Sequence, residues 1–183
     1  MYECVIERPK LRIYFSDSSP RSDAKSSKKL RSYLETAAIS LELWLKKKSQ
    51  SGIDLPSCTK TLECQVQICG AAKIRRLNSE YRGKDKKTDV LTFQMIEGLR
   101  GGNCEMMIPV LNLGDLFICR EVARAQASQF GISFEEEVTH LFVHGWLHLC
   151  GFDHEVSVFE EELMESHEMK ILNKIALLRR KSK

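Results

Sequence analysis

The chain has 183 residues, of which 43% are hydrophobic and 29% charged, and its net charge is +3 at pH 7. These globular proportions exclude a fibrous repeat and a chain that is disordered throughout, and the length suits one domain with its own core. A membrane-spanning helix is not expected, because no apolar run approaches the roughly 20 residues that a bilayer requires.

The N-terminal part predicts a strand, a helix and a second strand. Residues 1–15 form an apolar strand that Pro9 weakens, and residues 16–29 are polar and predict a loop. Apolar residues then recur at helical spacing and predict an amphipathic helix over about 28–48. Residues 62–68 alternate between apolar and polar types, which is typical of a half-buried strand.

The middle of the chain predicts one short helix and two strands. Apolar residues over 74–81 fit the helix, and residues 89–93 and 113–119 form apolar strands. Residues 97–105 contain three glycines and predict a turn region.

Three helices follow in the C-terminal part. Residues 120–130 are helical and are closed by Gly131. Ser133 and Ser157 each begin a Ser-x-x-Glu capping box, which predicts helices to about residues 150 and 178, the first of them central and buried.

The element order predicts an α+β fold, with one mixed, mostly parallel β-sheet packed against helices. We expect a single domain over 1–183, with a motif-bearing core over about 61–178.

Cysteine usage and the N-terminus indicate a cytoplasmic protein. Seven cysteines are an odd number without C-x-x-C spacing, so reduced thiols are expected, with Cys64, Cys119 and Cys150 in the core. The charged N-terminus does not have the pattern of a signal peptide.

Charge is unevenly distributed along the chain. Residues 73–87 have a net charge of +5 and could attract a polyanion, whereas residues 131–170 have a net charge of −9 and could not. Both segments could also be ordinary solvated faces.

Four of the five histidines lie within residues 140–154. His144 and His148 are four residues apart and share one helix face. Gly151 can end that helix in a left-handed conformation, so that the chain turns back and brings His154 to the same point. Three converging imidazoles form an open site whose default metal is zinc, with a water in the fourth position.

This spacing matches the metal frame of metzincin peptidases, H-E-x-x-H-x-x-G-x-x-H. Gly145 stands where those peptidases have the catalytic glutamate, so the metal frame is present and the peptidase base is absent. His140, one turn earlier, is either an outer residue that orients a ligand or a hydrogen-bonded core histidine. His167 is expected at the surface.

Three blocks of the sequence resemble the YbeY family of metal-dependent endoribonucleases. Residues 144–154 (HGWLHLCGFDH) resemble its signature H-G-x-L-H-L-x-G-Y-D-H, with Phe152 in place of the tyrosine. Residues 77–93 resemble its block L-N-x-x-Y-R-x-K-D-x-P-T-D-V-L-S-F, and residues 113–116 resemble its block L-G-D-I.

The resemblance implies a metal-centred cleft and single-strand-specific RNA cleavage in ribosomal RNA maturation and ribosome quality control. It implies His144, His148 and His154 as ligands of one metal ion, with zinc expected and nickel or another transition metal possible. It also implies that Arg82 matches an arginine that faces the cleft. The expected partners are single-stranded RNA, ribosomal RNA and ribosomal proteins.

Two questions stay open at this point. Arg82 could clamp a phosphate of the RNA, or it could form a salt bridge with Asp85 or Asp115. The general base is not assigned: Asp153 could accept a proton or cap a turn, Asp85 and Asp115 are weaker candidates, and Asp89 could simply open a strand.

Two other classes of function compete with the nuclease. The first is a metal hydrolase of another class, such as a metallopeptidase, which Gly145 and the basic segment disfavour. The second is a non-catalytic ribosome-assembly factor with a structural metal. Three ligands argue against it, because structural zinc sites usually have four protein ligands.

Overall fold

The computed structural model describes residues 1–20, 22–47, 51–100, 104 and 108–181. The strands are β1 (Tyr2–Glu7), β2 (Leu11–Asp17), β3 (Thr61–Cys69), β4 (Val90–Gln94) and β5 (Val110–Cys119). The helices are α1 (Ala24–Leu45), α2 (Ala71–Arg82), α3 (Arg120–Phe130), α4 (Phe134–Leu149) and α5 (Val158–Lys181).

The five strands form one mixed sheet in the order β1-β2-β3-β5-β4. Its three central strands β2, β3 and β5 are parallel, while β1 and β4 pair antiparallel at the two edges. The predicted α+β class with a mixed sheet is therefore confirmed, and two of the four strand pairings are parallel.

The N-terminal segment differs from the prediction. The single strand expected over 1–15 is wrong: β1 and β2 form a hairpin, with Pro9 in the turn, where its fixed φ and missing N–H are tolerated. The loop expected over 16–29 is also too long. Helix α1 begins at Ala24, because the Asp23 carboxylate accepts a hydrogen bond of 2.8 Å from the Ser26 N–H and caps it.

Other predicted bounds shift by smaller amounts. Strand β5 begins at Val110, three residues before the predicted start. The first helix was expected to end at residue 48, which lies outside the described residues. Residues 101–103 and 105 of the glycine-rich turn expected over 97–105 also lie outside them.

Helices α1, α4 and α5 pack together on one face of the sheet and form the main core. Helix α4 is buried on almost every side, as its sequence predicts. The exceptions are its first turn, where Glu136 is exposed, and a stripe of intermediate exposure formed by His140, His144 and His148. The helix approaches the sheet closely at Gly145, where a Cβ atom would lie 2.3 Å from the Leu116 Cδ1 atom. Position 145 therefore faces the sheet.

A smaller apolar cluster covers the opposite face of the sheet beneath α2. Ile74 of α2 packs there with Leu91 and Cys119. The predicted burial of Cys64, Cys119 and Cys150 is confirmed. In the part of the chain that the structure describes, no helix combines the length and apolar character needed to cross a membrane.

A buried ion pair joins the end of β2 to the start of α3. The Arg120 guanidinium contacts the Asp17 carboxylate, and both side chains are almost completely buried. The hydroxyls of Ser19 and Ser27 donate hydrogen bonds of 2.6 and 2.8 Å to the same carboxylate. Burial alone would raise the pKa of Asp17, but these hydrogen bonds and the charge of Arg120 lower it.

Replacing Ser27 with alanine should reveal how the stability of the protein depends on the ionisation of Asp17. Because the folded pKa of Asp17 is lowered, its contribution to stability is present above the ordinary pKa of about 4 and disappears as the pH falls through the folded pKa. We expect Ser27→Ala to lower the free energy of unfolding by about 1.5–3 kcal/mol at neutral pH, as expected for a hydrogen bond to a charged group. The difference from wild type should shrink in acid.

Urea unfolding curves recorded at several pH values measure this effect, and Ser32→Ala, an exposed serine on the same helix, is the matched control. If Ser27→Ala were destabilised by the same amount at every pH, the stabilising hydrogen bond would not depend on the charge of Asp17, and the prediction would be wrong.

Candidate metal centre

The end of helix α4 brings two segments of chain toward one point. The Gly151 N–H donates to the His148 carbonyl at 2.9 Å and the Phe152 N–H donates to the Leu147 carbonyl at 3.1 Å, which is the hydrogen-bond pattern of a Schellman motif. Gly151 has the left-handed φ of 90° that this motif needs. The reversal returns His154 to the histidine stripe of the helix.

The structure brings His144, His148 and His154 together. One side-chain nitrogen from each lies within 4.8 Å of the other two, and the ring centroids are 4.8 to 5.3 Å apart. The Nε2 atoms of His144 and His148 are separated by 3.2 Å. Two nitrogen ligands at roughly 2.0–2.1 Å from a tetrahedral ion lie about 3.3 Å apart, so this pair has the spacing that zinc requires.

The surroundings of His148 favour its uncharged imidazole. Burial and the neighbouring rings of His144 and His154 lower the pKa of His148 to about 4. A neutral ring keeps the lone pair that binds a metal, so no proton has to be displaced from His148 at neutral pH.

Glu168 of helix α5 lies next to the histidine cluster and contacts His144 and His140. Its Oε1 atom lies 3.3 Å from His144 Nδ1 and 3.4 Å from His140 Nε2. A carboxylate beside Nδ1 favours the proton on that nitrogen. The lone pair that can bind a metal is then on Nε2, which faces His148. Burial would raise the pKa of Glu168, but the interactions with the two histidines lower it to about 2.

His140 is thus placed between two carboxylates. Its Nδ1 atom is 3.7 Å from Glu137 Oε2, on the side opposite Glu168. The interaction with Glu168 raises the pKa of His140 even though burial opposes it. Of the two roles considered for His140, the geometry therefore matches that of an outer residue next to the candidate ligand His144.

The three histidines lie in a cleft with a volume of about 690 Å³. Arg82 and Lys84 also line it, and they are the part of the basic segment 73–87 that reaches the cleft. Other members of that segment point elsewhere: Lys73 hydrogen bonds to Gln67, and Arg75 binds Asp85.

Arg82 does not form the salt bridge that sequence analysis left open. Asp85 is paired with Arg75, with an Nη2–Oδ2 distance of 2.6 Å. Arg82 is the last residue of α2, its side chain is exposed, and no ion pair with it is found among the described residues. Its guanidinium is therefore free to meet an anion in the cleft.

The acidic candidates for a general base have structural contacts. The Asp153 Oδ1 atom accepts a 2.9 Å hydrogen bond from the Glu155 N–H and caps the turn after α4, although the residue also lines the cleft. Asp89 lines the cleft too, and accepts hydrogen bonds from the Val90 N–H and the Gln126 amide. Asp85 and Asp115 are not among the residues that line it.

The expected surface position of His167 is wrong, because the residue is buried. Its Nδ1 atom accepts a 3.1 Å hydrogen bond from the Trp44 indole N–H, and only 4% of the residue is exposed. Phe152 packs against both rings. The family signature has a tyrosine where this chain has Phe152. Because the Phe152 ring lies in the core, the hydroxyl that this chain lacks belongs to a core position.

Glu168 was not predicted as a site residue. No local pattern distinguishes it from the other glutamates of α5, because its role depends on the packing of α5 against α4. The helical spacing of His140 and His144 predicts a shared partner for the two rings, and only the fold identifies it.

A three-histidine cluster that suits a metal ion, at the end of a buried helix packed on a mixed sheet, defines an α+β protein with a candidate metal cleft. A family model described as Endoribonuclease YbeY matches residues 27–176. The chain therefore belongs to the YbeY family.

Several relatives named Endoribonuclease YbeY support this membership. The protein from Rhizobium etli is 42% identical over 115 residues, which are 63% of this chain and 64% of that protein. The Aquifex aeolicus protein is also 42% identical over 115 residues and is covered to 71%. A chloroplastic Endoribonuclease YBEY from Arabidopsis thaliana is 40% identical over 116 residues, which are 19% of its length. The match thus spans less than two thirds of the Rhizobium and Arabidopsis proteins.

A solved structure shows the same fold. The solution structure of a protein from Thermotoga maritima has a TM-score of 0.53 and 22% sequence identity, and the match covers 92% of this chain and 93% of that one.

Proposed function

We propose that this protein is a metal-dependent endoribonuclease that cleaves single-stranded RNA in ribosomal RNA maturation and ribosome quality control. The observation that carries the proposal is the composition of one cleft, in which three clustered imidazoles and an unpaired arginine face the same space. The names of the relatives support a nuclease, and Gly145, packed against the sheet, supports the exclusion of a metzincin-type peptidase.

His144, His148 and His154 would hold one metal ion. Three imidazole nitrogens suit zinc, and they also suit nickel or another transition metal. When bound, such an ion supplies Lewis acidity to the phosphoryl group or to an attacking water. Glu168 fixes the tautomer and orientation of His144 through Nδ1, and His140 holds Glu168 from the other side.

Arg82 would act on the RNA itself. Its planar guanidinium can donate two parallel hydrogen bonds to phosphate oxygens, and it stabilises the negative charge that grows as the phosphodiester is attacked. Lys84 adds a second cation at the same wall of the cleft and attracts the backbone without reading its sequence.

The size of the cleft bears on the substrate, and the free cysteines bear on the location of the protein. A cleft of about 690 Å³ has room for a short stretch of single strand. We place the protein in the cytoplasm, in agreement with its free cysteines, and we expect ribosomal RNA and ribosomal proteins as its partners.

A cleavage assay on the wild-type protein tests this function. Purified protein is stripped with a chelator, reloaded with zinc, nickel or manganese, and incubated with a labelled single-stranded RNA, the matching duplex and casein. We expect reloading to restore cleavage of the single strand, with the duplex and casein left intact. Cleavage of RNA that is indifferent to the chelator, or metal-dependent loss of casein, would refute the proposal.

Glu168→Gln should weaken the metal centre without unfolding the protein. Glutamine keeps the shape of Glu168 but loses the charge that holds the proton on His144 Nδ1, and loss of such an outer partner costs about 10- to 100-fold in metal affinity. Competition with a chromophoric chelator measures the zinc affinity, and Glu165→Gln, an exposed glutamate on the same helix, is the matched control. If the two variants had equal zinc affinity, Glu168 would not contribute to metal binding.

A further inference from the structure

A second groove adjoins the metal cleft. It has a volume of about 600 Å³, lies between α1, α4, α5 and the end of α3, and shares Phe130, Glu137 and His140 with the cleft. A chain that leaves the cleft past Phe130 therefore enters this groove directly.

The junction between the two cavities has an exposed aromatic ring beside Glu137 and His140. Phe130 is 59% exposed, and Ile132 beside it is 41% exposed. Scattered exposed apolar residues are common on protein surfaces, but an exposed aromatic ring at the wall of a candidate nucleic-acid cleft has a specific use. Nucleobases stack on such rings without sequence preference, because every base has a π-face.

The far end of the groove is cationic. The Arg179 guanidinium lies 3.3 Å from the ring centroid of Tyr33, which holds it in place. Arg180 lines the groove, is exposed, and forms no ion pair within the described part of the chain. The lining also contains two acids: Glu136 is exposed and accepts hydrogen bonds from the N–H and hydroxyl of Ser133, and Glu137 is buried. The two arginines place the positive charge of the groove at its far end.

We propose that this groove binds the continuation of the RNA single strand, with a base stacked on Phe130 and a phosphate in contact with Arg180. The apolar floor suits the bases, the arginines suit the backbone, and the continuity with the cleft supplies the path. This inference rests on the proposed function and extends it, since the preferred substrate becomes a strand long enough to occupy both cavities.

Charge substitutions at Ala176 test the groove separately from the cleft, because Ala176 is exposed and lines only the groove. Binding of 2′-O-methyl oligoribonucleotides of about 3 and about 12 nucleotides to the zinc-loaded protein is measured by fluorescence anisotropy, within the range of single-strand site sizes. We expect Ala176→Glu to weaken the longer oligonucleotide about fivefold or more and to leave the shorter one unchanged. Ala176→Arg should not weaken the binding of either oligonucleotide. Ala24→Glu is the control, because Ala24 is exposed and does not line the groove.

Phe130→Ala tests the stacking platform. We expect binding of the longer oligonucleotide to weaken about tenfold and Phe130→Trp to restore it. Phe159→Ala, which removes a ring that is 70% exposed elsewhere on the surface, should have no effect. Arg180→Gln should lower the slope of log affinity against log salt by about 0.7 for the longer oligonucleotide.

The outcomes separate the two proposals. If the wild-type protein cleaves single-stranded RNA but binds the longer oligonucleotide no better than the shorter one, or if Ala176→Glu behaves like Ala24→Glu, the groove inference is overturned and the nuclease stands. A groove that serves a protein partner would give this result. If the protein neither binds nor cleaves RNA, both proposals are overturned.

Discussion

His148→Ala is expected to abolish metal binding and RNA cleavage together. The variant removes one of the three proposed nitrogen ligands and with it half of the 3.2 Å Nε2 pair, so that only two imidazoles remain for the ion, fewer than zinc sites use. The loss of affinity should exceed the roughly 10- to 100-fold that loss of an outer partner costs. Metal content by atomic absorption should fall from about one ion per chain to near zero, and cleavage should fall to background.

His167→Gln is the matched histidine control for this experiment. His167 is buried against Trp44 and contributes to the core rather than to the cleft. We expect this variant to unfold at a lower temperature and yet to keep its metal and its activity. If His148→Ala retained a full complement of metal, or if His167→Gln lost it, the three-histidine centre would be the wrong site.

Arg82→Gln is expected to lower kcat by about 10²- to 10³-fold, as is usual when a donor that stabilises the transition state is removed. The metal content and the melting temperature should not change, because the side chain is exposed and has no ion-pair partner among the described residues. Single-turnover cleavage of a labelled RNA, with the metal content of each sample measured in parallel, separates these effects.

Two further variants locate the effect at the guanidinium. Arg82→Lys should recover only part of the rate, since an ammonium group keeps the charge but lacks the planar pair of donors. Arg76→Gln changes an exposed arginine on the same helix that does not line the cleft, so it should cleave RNA at a rate close to wild type. Equal losses for Arg76→Gln and Arg82→Gln would assign Arg82 to general electrostatic attraction instead of the reaction.

Removing the metal would separate a catalytic ion from a structural one. The core of this protein contains buried side chains from the sheet and from α1, α4 and α5, so we expect the fold to persist without an ion at the histidine cluster. A stripped protein that keeps its melting transition and loses cleavage would match a catalytic ion, and collapse of the fold on stripping would match the structural one.

Local geometry made the centre of the site predictable from the sequence. The four-residue spacing of His144 and His148, the glycine at position 151 and the return to His154 are fixed by helix periodicity and by one left-handed residue. These are properties of a segment of eleven residues, and they hold wherever that segment lies in a fold. The buried character of α4 and its capping box were predictable for the same reason.

Contacts between distant segments were not predictable in this way. The N-terminal hairpin, the burial of His167 against Trp44 and the position of Glu168 beside His144 each depend on how one element packs on another. The free state of Arg82 also depends on packing, because Arg75 binds the aspartate that Arg82 could have bound.

The sequence by itself determined which residues could bind a metal, because the distances within one helix and its turn follow from covalent geometry and hydrogen bonding. Only the tertiary structure decided which carboxylate lies beside His144, that Arg75 rather than Arg82 pairs with Asp85, and that a second groove continues from the cleft. Those choices come from the packing of α5 and α2 around α4 and the sheet, where burial and ion pairing between residues far apart in the chain select one arrangement among many.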